Sequence, residues 1–203
     1  MTWIANISLV LIGLIGNVMG PVMPSVIGEY GLSLAIAGMV FTAQGLGKLV
    51  AVLSTSSWSD RVGRKPVLRL GGILIVIGAI GYGASRAWMG HILSATLLGA
   101  GLGMLDGAAN ALVSDLYTER RGLALNRLHV FFGVGSLIGP LVAAFFLSVL
   151  HSWRLLFAVI AALAGVHAIF TSSQPFPEVS NPNGGDKGQV TKARKTILTS
   201  PEF

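Results

Sequence analysis

The sequence has no cysteine, which removes a disulfide framework, a thiolate metal site and a cysteine nucleophile from consideration. Charge is nearly as scarce: Asp, Glu, Lys and Arg make up 11% of residues, against 53% hydrophobic. Soluble globular domains carry about a quarter charged residues, so a water-soluble fold is excluded. The charge that is present leans one way, with 14 Lys and Arg against 8 Asp and Glu and a sequence pI near 10.2. In a soluble protein that balance would point to nucleic acid. In this chain the positions of the charges matter more than their sum, and no nucleic-acid partner is expected, nor any metal or cofactor.

What replaces charge is length of apolar run, with a mean hydropathy of +0.74. Stretches able to cross a hydrocarbon core, which takes about 20 residues each, lie near 3–27, 35–57, 67–85, 89–114, 122–150 and 152–172. These predict an all-α integral membrane protein, a six-transmembrane-helix bundle over residues 1–172 with membrane lipid as its surroundings. Backbone amides in lipid must be satisfied within their own segment, so the 27 glycines are read as sites of close helix packing rather than as loops. The first run lacks a basic start and is too long for a secretion signal, so it is read as a retained span.

The basic residues sort by side. With the N-terminus inside, Arg61, Arg64, Lys65, Arg69, Arg120, Arg121, Arg127, Lys187, Lys192, Arg194 and Lys195 share one side, and only Arg86 and Arg154 lie on the other. This bias predicts cytoplasmic termini and a multi-pass protein of the plasma membrane. The fourteenth cation, Lys48, falls near the middle of the second run. After Thr171 the composition changes, and 173–203 reads as a cytoplasmic linker or tail. Within it Val190 to Leu198 reads either as a short interfacial helix on anionic lipid or as a solvated basic tail. Ser200-Pro201-Glu202 has the pattern of a helix start. That predicts a seventh span following, with this chain as one half of a larger transporter; a terminal tail with a chance capping pattern is the alternative.

The run Trp58-Ser59-Asp60-Arg61-Val62-Gly63-Arg64-Lys65-Pro66 is the one strongly charged stretch of the first half. Its Asp60, Arg61, Gly63, Arg64 and Lys65 resemble the loop signature of the major facilitator superfamily of secondary transporters; Ser56 and Trp58 depart from it, standing where Gly and Leu are usual. An ordinary cytoplasmic loop accounts for the basic residues but not for Asp60 and Gly63. Trp153-Arg154 followed by Phe157 resembles the opening of that superfamily's sixth span. Gly99 to Asp106 with Asn110, Asn126-Arg127-Leu128-His129, and Gly133 to Pro140 are similar to its fucose and glucose permease-like branch. The resemblance implies an N-terminal six-helix half with a 3+3 inverted repeat. Spans one and four would line a cavity and spans two and five would face a second six-helix half, either a missing C-terminal half or another copy. It also implies alternating-access transport of a small solute, a sugar in the first reading, coupled to protons. Gly135, Gly139 and Pro140 also resemble the fifth span of drug and proton antiporters, so direction and substrate stay open, as does an inactive truncated fragment or a membrane scaffold.

Asp106 is the leading candidate, because an ionised group at this depth costs roughly 2.5–3.5 kcal/mol on insertion scales and usually marks function. It shares a helix face with Asn110, while Gly99 and Gly103 would admit a neighbouring helix. The resemblance assigns it proton coupling, and Lys48 is its expected partner; a salt bridge there would make Asp106 either a working or a locked charge. Pro21 and Pro24 release carbonyls four residues earlier, predicting a broken, polar patch beside Asn17. Asn17 and Gln44 are candidate solute contacts, or else helix-helix contacts. Asn126 and His129, three apart, are expected to join Asp106 and Asn110 in the cytoplasmic half of the cavity. Asp60, Arg61, Gly63, Arg64 and Lys65 would rearrange as the carrier changes state, with Pro140 as a helix hinge. A remote alternative, an intramembrane serine hydrolase using Ser136 and His167, lacks the Gly-x-Ser-Gly pattern, and no catalytic residue is assigned.

Overall fold

The computed structural model describes residues 2–174, and the expectations for the linker, the basic segment 190–198 and the helix start at Ser200 lie outside them. Six helices follow one another: α1 Thr2–Tyr30, α2 Leu34–Val62, α3 Arg64–Ala84, α4 Trp88–Leu116, α5 Arg121–Ser148 and α6 Trp153–Ser173. All six are long and apolar enough to cross a membrane. The chain is a six-transmembrane-helix bundle, with no strand among the described residues. Connections of a few residues force successive helices to run antiparallel. Ser33 caps α2 by accepting from the amide of Ile36, and Ser152 caps α6 by accepting from Leu155, each taking up one donor the helix start leaves free.

Packing does not follow chain order. The most extensive contacts are α2 with α4, α1 with α5, α3 with α4, and α3 with α6. Exchanging helices 1–3 for 4–6 turns the α2–α4 pairing into α5–α1, so the two leading contacts are equivalents in a 3+3 inverted repeat. The chemistry of the two seams matches. A methyl group placed on Gly99 or Gly103 of α4 would run into the backbone carbonyls of Gln44 and Lys48 on α2. One placed on Gly135 or Gly139 of α5 would run into those of Val10 and Leu14 on α1. Lipid tails are as apolar as leucine, so such backbone approach, with its dispersion contacts, replaces the hydrophobic force that packs helices in water.

α2 meets the bundle through a stripe of small residues, Ala37, Val40, Ala43, Ala51, Thr55 and Ser59, all buried. Its large apolar side chains, among them Leu46, Leu49, Val50 and Leu53, point outward. In α2 and α5 only 28% and 22% of the most apolar stretch is buried, against 44–56% in the other four helices. The two prolines of α1 do not break it. Pro21 and Pro24 stand inside one continuous helix, because in a packed membrane bundle neighbouring helices and small local adjustments re-satisfy the freed carbonyls; Pro140 is likewise internal to a continuous α5.

The glycine seams are testable by adding bulk. Gly99→Val is expected to destabilise the protein by about 1–3 kcal/mol, read as a lowered Tm in detergent. Gly38→Ala, at a position where an added methyl meets nothing, is expected to be neutral or to stabilise by about 0.5–1 kcal/mol. An unchanged Tm in Gly99→Val would show that α2 and α4 are not in backbone contact.

Candidate functional site

The Gly103 seam has a direct consequence for charge. Gly103 lies against the backbone of Lys48, and Asp106 follows it by three residues, so the two ionised side chains reach each other across α2 and α4. Lys48 Nζ is 3.1 Å from Asp106 Oδ2. The other carboxylate oxygen accepts from Asn110 Nδ2 at 2.8 Å, and the same amide donates to the Asp106 carbonyl. Both oxygens of Asp106 are therefore engaged. The pair is only partly covered within the bundle: the side chains keep 40% and 24% of their surface.

Lys48 also lines a cavity of about 250 Å3 between α1, α2, α4 and α5. Asn17 and Gln44 share that lining, with Phe41, Leu102 and Phe132 as apolar wall. Asn17 donates its amide to the Gly13 carbonyl at 2.8 Å and to Ser136 Oγ at 3.1 Å. The side-chain amide nitrogen of Gln44 is buried without a partner. The structure thus brings Asn17, Gln44, Lys48, Asp106 and Asn110 together. It does not bring in Asn126 and His129: both are exposed on α5, and among the described residues no hydrogen bond or ion pair ties them to Asp106 or Asn110. α5 meets α1 through Gly135 and Gly139, and that face leaves 126 and 129 outside the bundle. Ser136 and His167 are also apart in their bonding: Ser136 accepts from Asn17, while His167 Nε2 pairs with Ser8 Oγ at 2.9 Å.

The basic stretch is a helical corner rather than a loop. Asp60 and Arg61 close α2, Arg64 and Lys65 open α3, and Gly63 alone separates them with φ +91°, a conformation that glycine adopts without steric cost. Helix continues to within one residue of the turn because a helix satisfies its own amides, as the membrane edge demands. Arg64 gathers three elements: Nη1 donates to Asp60 at 2.7 Å and to Ser59 Oγ at 2.8 Å, and Nε donates to Asp115 at the end of α4 at 2.9 Å. Lys65 donates to the carbonyl of Gln174 after α6, and Arg61 is exposed.

The far end of the bundle has its own cluster. Arg154 at the start of α6 donates through Nη1 to the carbonyls of Gly83 and Ser85, and through Nη2 to Glu29 and to Tyr30 Oη at 2.8 Å. Trp153 Nε1 donates to the second oxygen of Glu29 at 2.8 Å, and Tyr30 Oη donates to Ser85. One guanidinium thereby joins the ends of α1, α3 and α6.

The sequence model of the Major Facilitator Superfamily matches residues 5–203. The chain belongs to this superfamily. Among its relatives, a TsgA homologue of Serratia proteamaculans is 27% identical over 196 residues, covering 96% of this chain and 50% of the relative. TsgA of Salmonella typhi is 27% identical over 195 residues with the same coverage. The chain therefore spans about half the length of the curated relatives it matches. Solved structures show the same fold. A D-xylose–proton symporter aligns with a TM-score of 0.77 at 17% identity, over 97% of this chain and 52% of that one. A peptide transporter, POT, aligns with a TM-score of 0.75 at 17% identity, over 97% and 43%. An inward-open xylose transporter from E. coli aligns with a TM-score of 0.74 at 16% identity, over 100% and 56%. The chain is thus a major facilitator half, a multi-pass membrane protein of a transporter family and not an enzyme.

Two residues of this major facilitator half escaped the sequence reading. Neither Asp115 at the end of α4 nor Glu29 at the end of α1 was assigned a role. The signal available for Glu29 was the isolated Trp153-Arg154 pair, since a cation at a span end with no acid nearby in sequence calls for one from another helix.

Arg154 makes a sharp test, because a lysine keeps the charge but not the planar fork of donors. Arg154→Lys is expected to cost about 1–2 kcal/mol, nearly as much as Arg154→Met, in thermal unfolding in nanodiscs. Glu29→Gln combined with Arg154→Met should show a coupling energy of about 1 kcal/mol. Additive effects would mean that the two side chains do not meet.

Proposed function

We propose that this chain forms one half of a proton-coupled secondary active transporter that moves a small hydroxylated solute, of the sugar class, by alternating access. The observation that carries the reading is the Lys48–Asp106–Asn110 cluster, whose Lys48 lines the cavity between α1, α2, α4 and α5. Two separate features have no structural necessity together: an ionisable pair far from either membrane edge, and amides beside it that can meet hydroxyls. In this reading Asp106 carries the coupled proton and Lys48 holds it when ionised. Asn17, Gln44 and Asn110 contact solute from this half. Asn126 and His129 lie on α5, one of the two helices with the least buried faces, and meet solute only where a second half closes the cavity.

That second six-helix half, a C-terminal half or another copy, would cover the outward apolar faces of α2 and α5. Gly135, Gly139 and Pro140 would let α5 rock against α1 without opening a gap. The Asp60–Gly63–Arg64 corner, whose Arg64 bonds tie α2 and α3 to α4, would break and re-form as the carrier changes state. The sugar assignment draws on the resemblance of the fourth and fifth spans to fucose and glucose permeases, and the D-xylose–proton symporter is a protein of the same fold. The side distribution of Lys and Arg supports cytoplasmic termini and a plasma-membrane location.

Transport gives the test. With one pH unit across the membrane, one coupled proton supports about tenfold accumulation of a neutral solute. In vesicles carrying the protein with its second half, Asp106→Asn is expected to lower monosaccharide accumulation to simple equilibration while exchange continues. Acid-driven accumulation that survives in Asp106→Asn would remove Asp106 from the mechanism.

A further inference from the structure

The arginines that hold helix ends together each have a carboxylate: Arg64 has Asp60 and Asp115, and Arg154 has Glu29. Arg120 and Arg127 have none. Both are exposed, neither makes a side-chain hydrogen bond or ion pair among the described residues, and the two line one cavity of about 200 Å3 at the basic end of the bundle. No acid stands in that lining. Glu119, the acid beside Arg120 in sequence, is exposed and forms no ion pair either. The cavity is separate from the central one, with which it shares no residue.

Its walls are two helix faces. Arg120 is the N-cap of α5, and Leu123, Ala124 and Arg127, which line the cavity with it, follow at the spacing of a single face. The two cations therefore stand at either end of a groove about two turns, or roughly 10 Å, long. Thr2 and Asn6, four apart on α1, form the opposite wall, and Tyr117 at the end of α4 closes it. Thr2 Oγ1 and Tyr117 Oη are 3.1 Å apart; two hydroxyls sharing one hydrogen bond keep a second proton to donate elsewhere. The Asn6 amide has no partner among the described residues. Two guanidiniums, a hydroxyl and an amide thus border one small space with donors to spare, and no carboxylate of the protein takes them up.

A phosphate group suits such a set better than a carboxylate, because its several oxygens accept from more than one direction and a guanidinium fork pairs with two of them at once. The groove also lies where α1 and α5 begin and α4 ends, the level at which a bilayer places its headgroups, and basic pockets between spans take up anionic headgroups there. Leu123 beside it is 67% exposed, an apolar neighbour for the glycerol and first methylenes of a lipid. We propose that the groove between Arg120 and Arg127 is a phosphate-group site, filled by the headgroup of an anionic phospholipid or by a soluble phosphate ester.

The test is native mass spectrometry of the full chain in neutral detergent, titrated with phosphatidylglycerol, with phosphatidylcholine of the same acyl chains, and with sn-glycerol 3-phosphate. Phosphatidylglycerol is expected to bind at least about tenfold more tightly than phosphatidylcholine, whose choline brings a cation to the arginines. If glycerol 3-phosphate fails to displace it, the lipid is the source of the phosphate; if glycerol 3-phosphate binds at least as tightly, a soluble ester is, and either result supports the site. Arg120→Gln and Arg127→Gln should each weaken the tighter ligand about tenfold. Arg121→Gln removes the same charge next door but outside the lining, and should change binding less than about twofold. An Arg121→Gln effect as large as that of Arg127→Gln would reveal a diffuse basic rim and overturn the proposal. So would equal binding of the two lipids with no binding of glycerol 3-phosphate. The unliganded Tm should be the same in all three variants and the unmodified protein, since these arginines have no protein partner to lose; a Tm lowered in Arg120→Gln or Arg127→Gln alone would show a structural role instead and overturn it as well.

Discussion

Backbone contact between α2 and α4, made where Gly99 and Gly103 have no side chain to hold the helices apart, is the constraint on which the rest of the bundle depends. Helices in lipid gain little by hiding apolar surface from one another, so proximity has to come from shape. The small residues of the buried α2 stripe supply the other half of that fit. Bringing the two backbones together has an electrostatic result, because Lys48 and Asp106 flank the contact and are drawn within 3.1 Å. A bulkier seam would leave each charge alone at a depth where isolation is expensive. The same device recurs on α1 and α5 with Gly135 and Gly139, where it aligns Asn17 with Ser136. The cavity lies between these two equivalent seams, which is why its polar residues come from both.

Three polar clusters then divide the bundle by height, and they differ in what they can do. At the basic end Arg64 ties α2, α3 and α4, and at the far end Arg154 ties α1, α3 and α6. Both use a guanidinium with several simultaneous acceptors, two of which at the far end are backbone carbonyls that cannot move without moving a helix end. Such multidentate contacts fix geometry. The central cluster uses an ammonium, a point charge on a flexible stem, facing one carboxylate oxygen. It is the one cluster in which a partner can be exchanged without dismantling a helix end, which suits it to ligand chemistry while the two ends hold the frame.

What the sequence made legible follows from how local each signal is. Span number and helical class came from apolar run lengths, which the bilayer alone dictates. The Lys48–Asp106 contact was readable because both charges are anomalies in apolar runs and each needs the other. Glu29 and Asp115 are not anomalies: acids at span ends are unremarkable by position, and only the fold shows that each meets an arginine from a distant helix. The prolines of α1 misled for a related reason, since the rule that proline breaks helices is set in water and lipid raises the cost of leaving helix. Asn126 and His129 shared a face with each other, as spacing required, but spacing could not say which face α5 turns inward. That choice was made by the glycines of its other side.

The placement of the least buried helices gives the last step. α2 and α5 are the partners of the two glycine seams, and each is held to the bundle by a narrow strip, with its broad apolar face left outward. In a self-contained bundle such helices would be lipid-facing throughout and nothing would require polar residues on them. Yet Gln44 and Lys48 belong to α2, and Asn126 and His129 to α5. The cavity takes its lining chiefly from α1 and α2, with Leu102 of α4 and Phe132 of α5. A groove lined by Lys48 and Gln44 between apolar helices is poorly matched to lipid tails, which offer neither water nor acceptors.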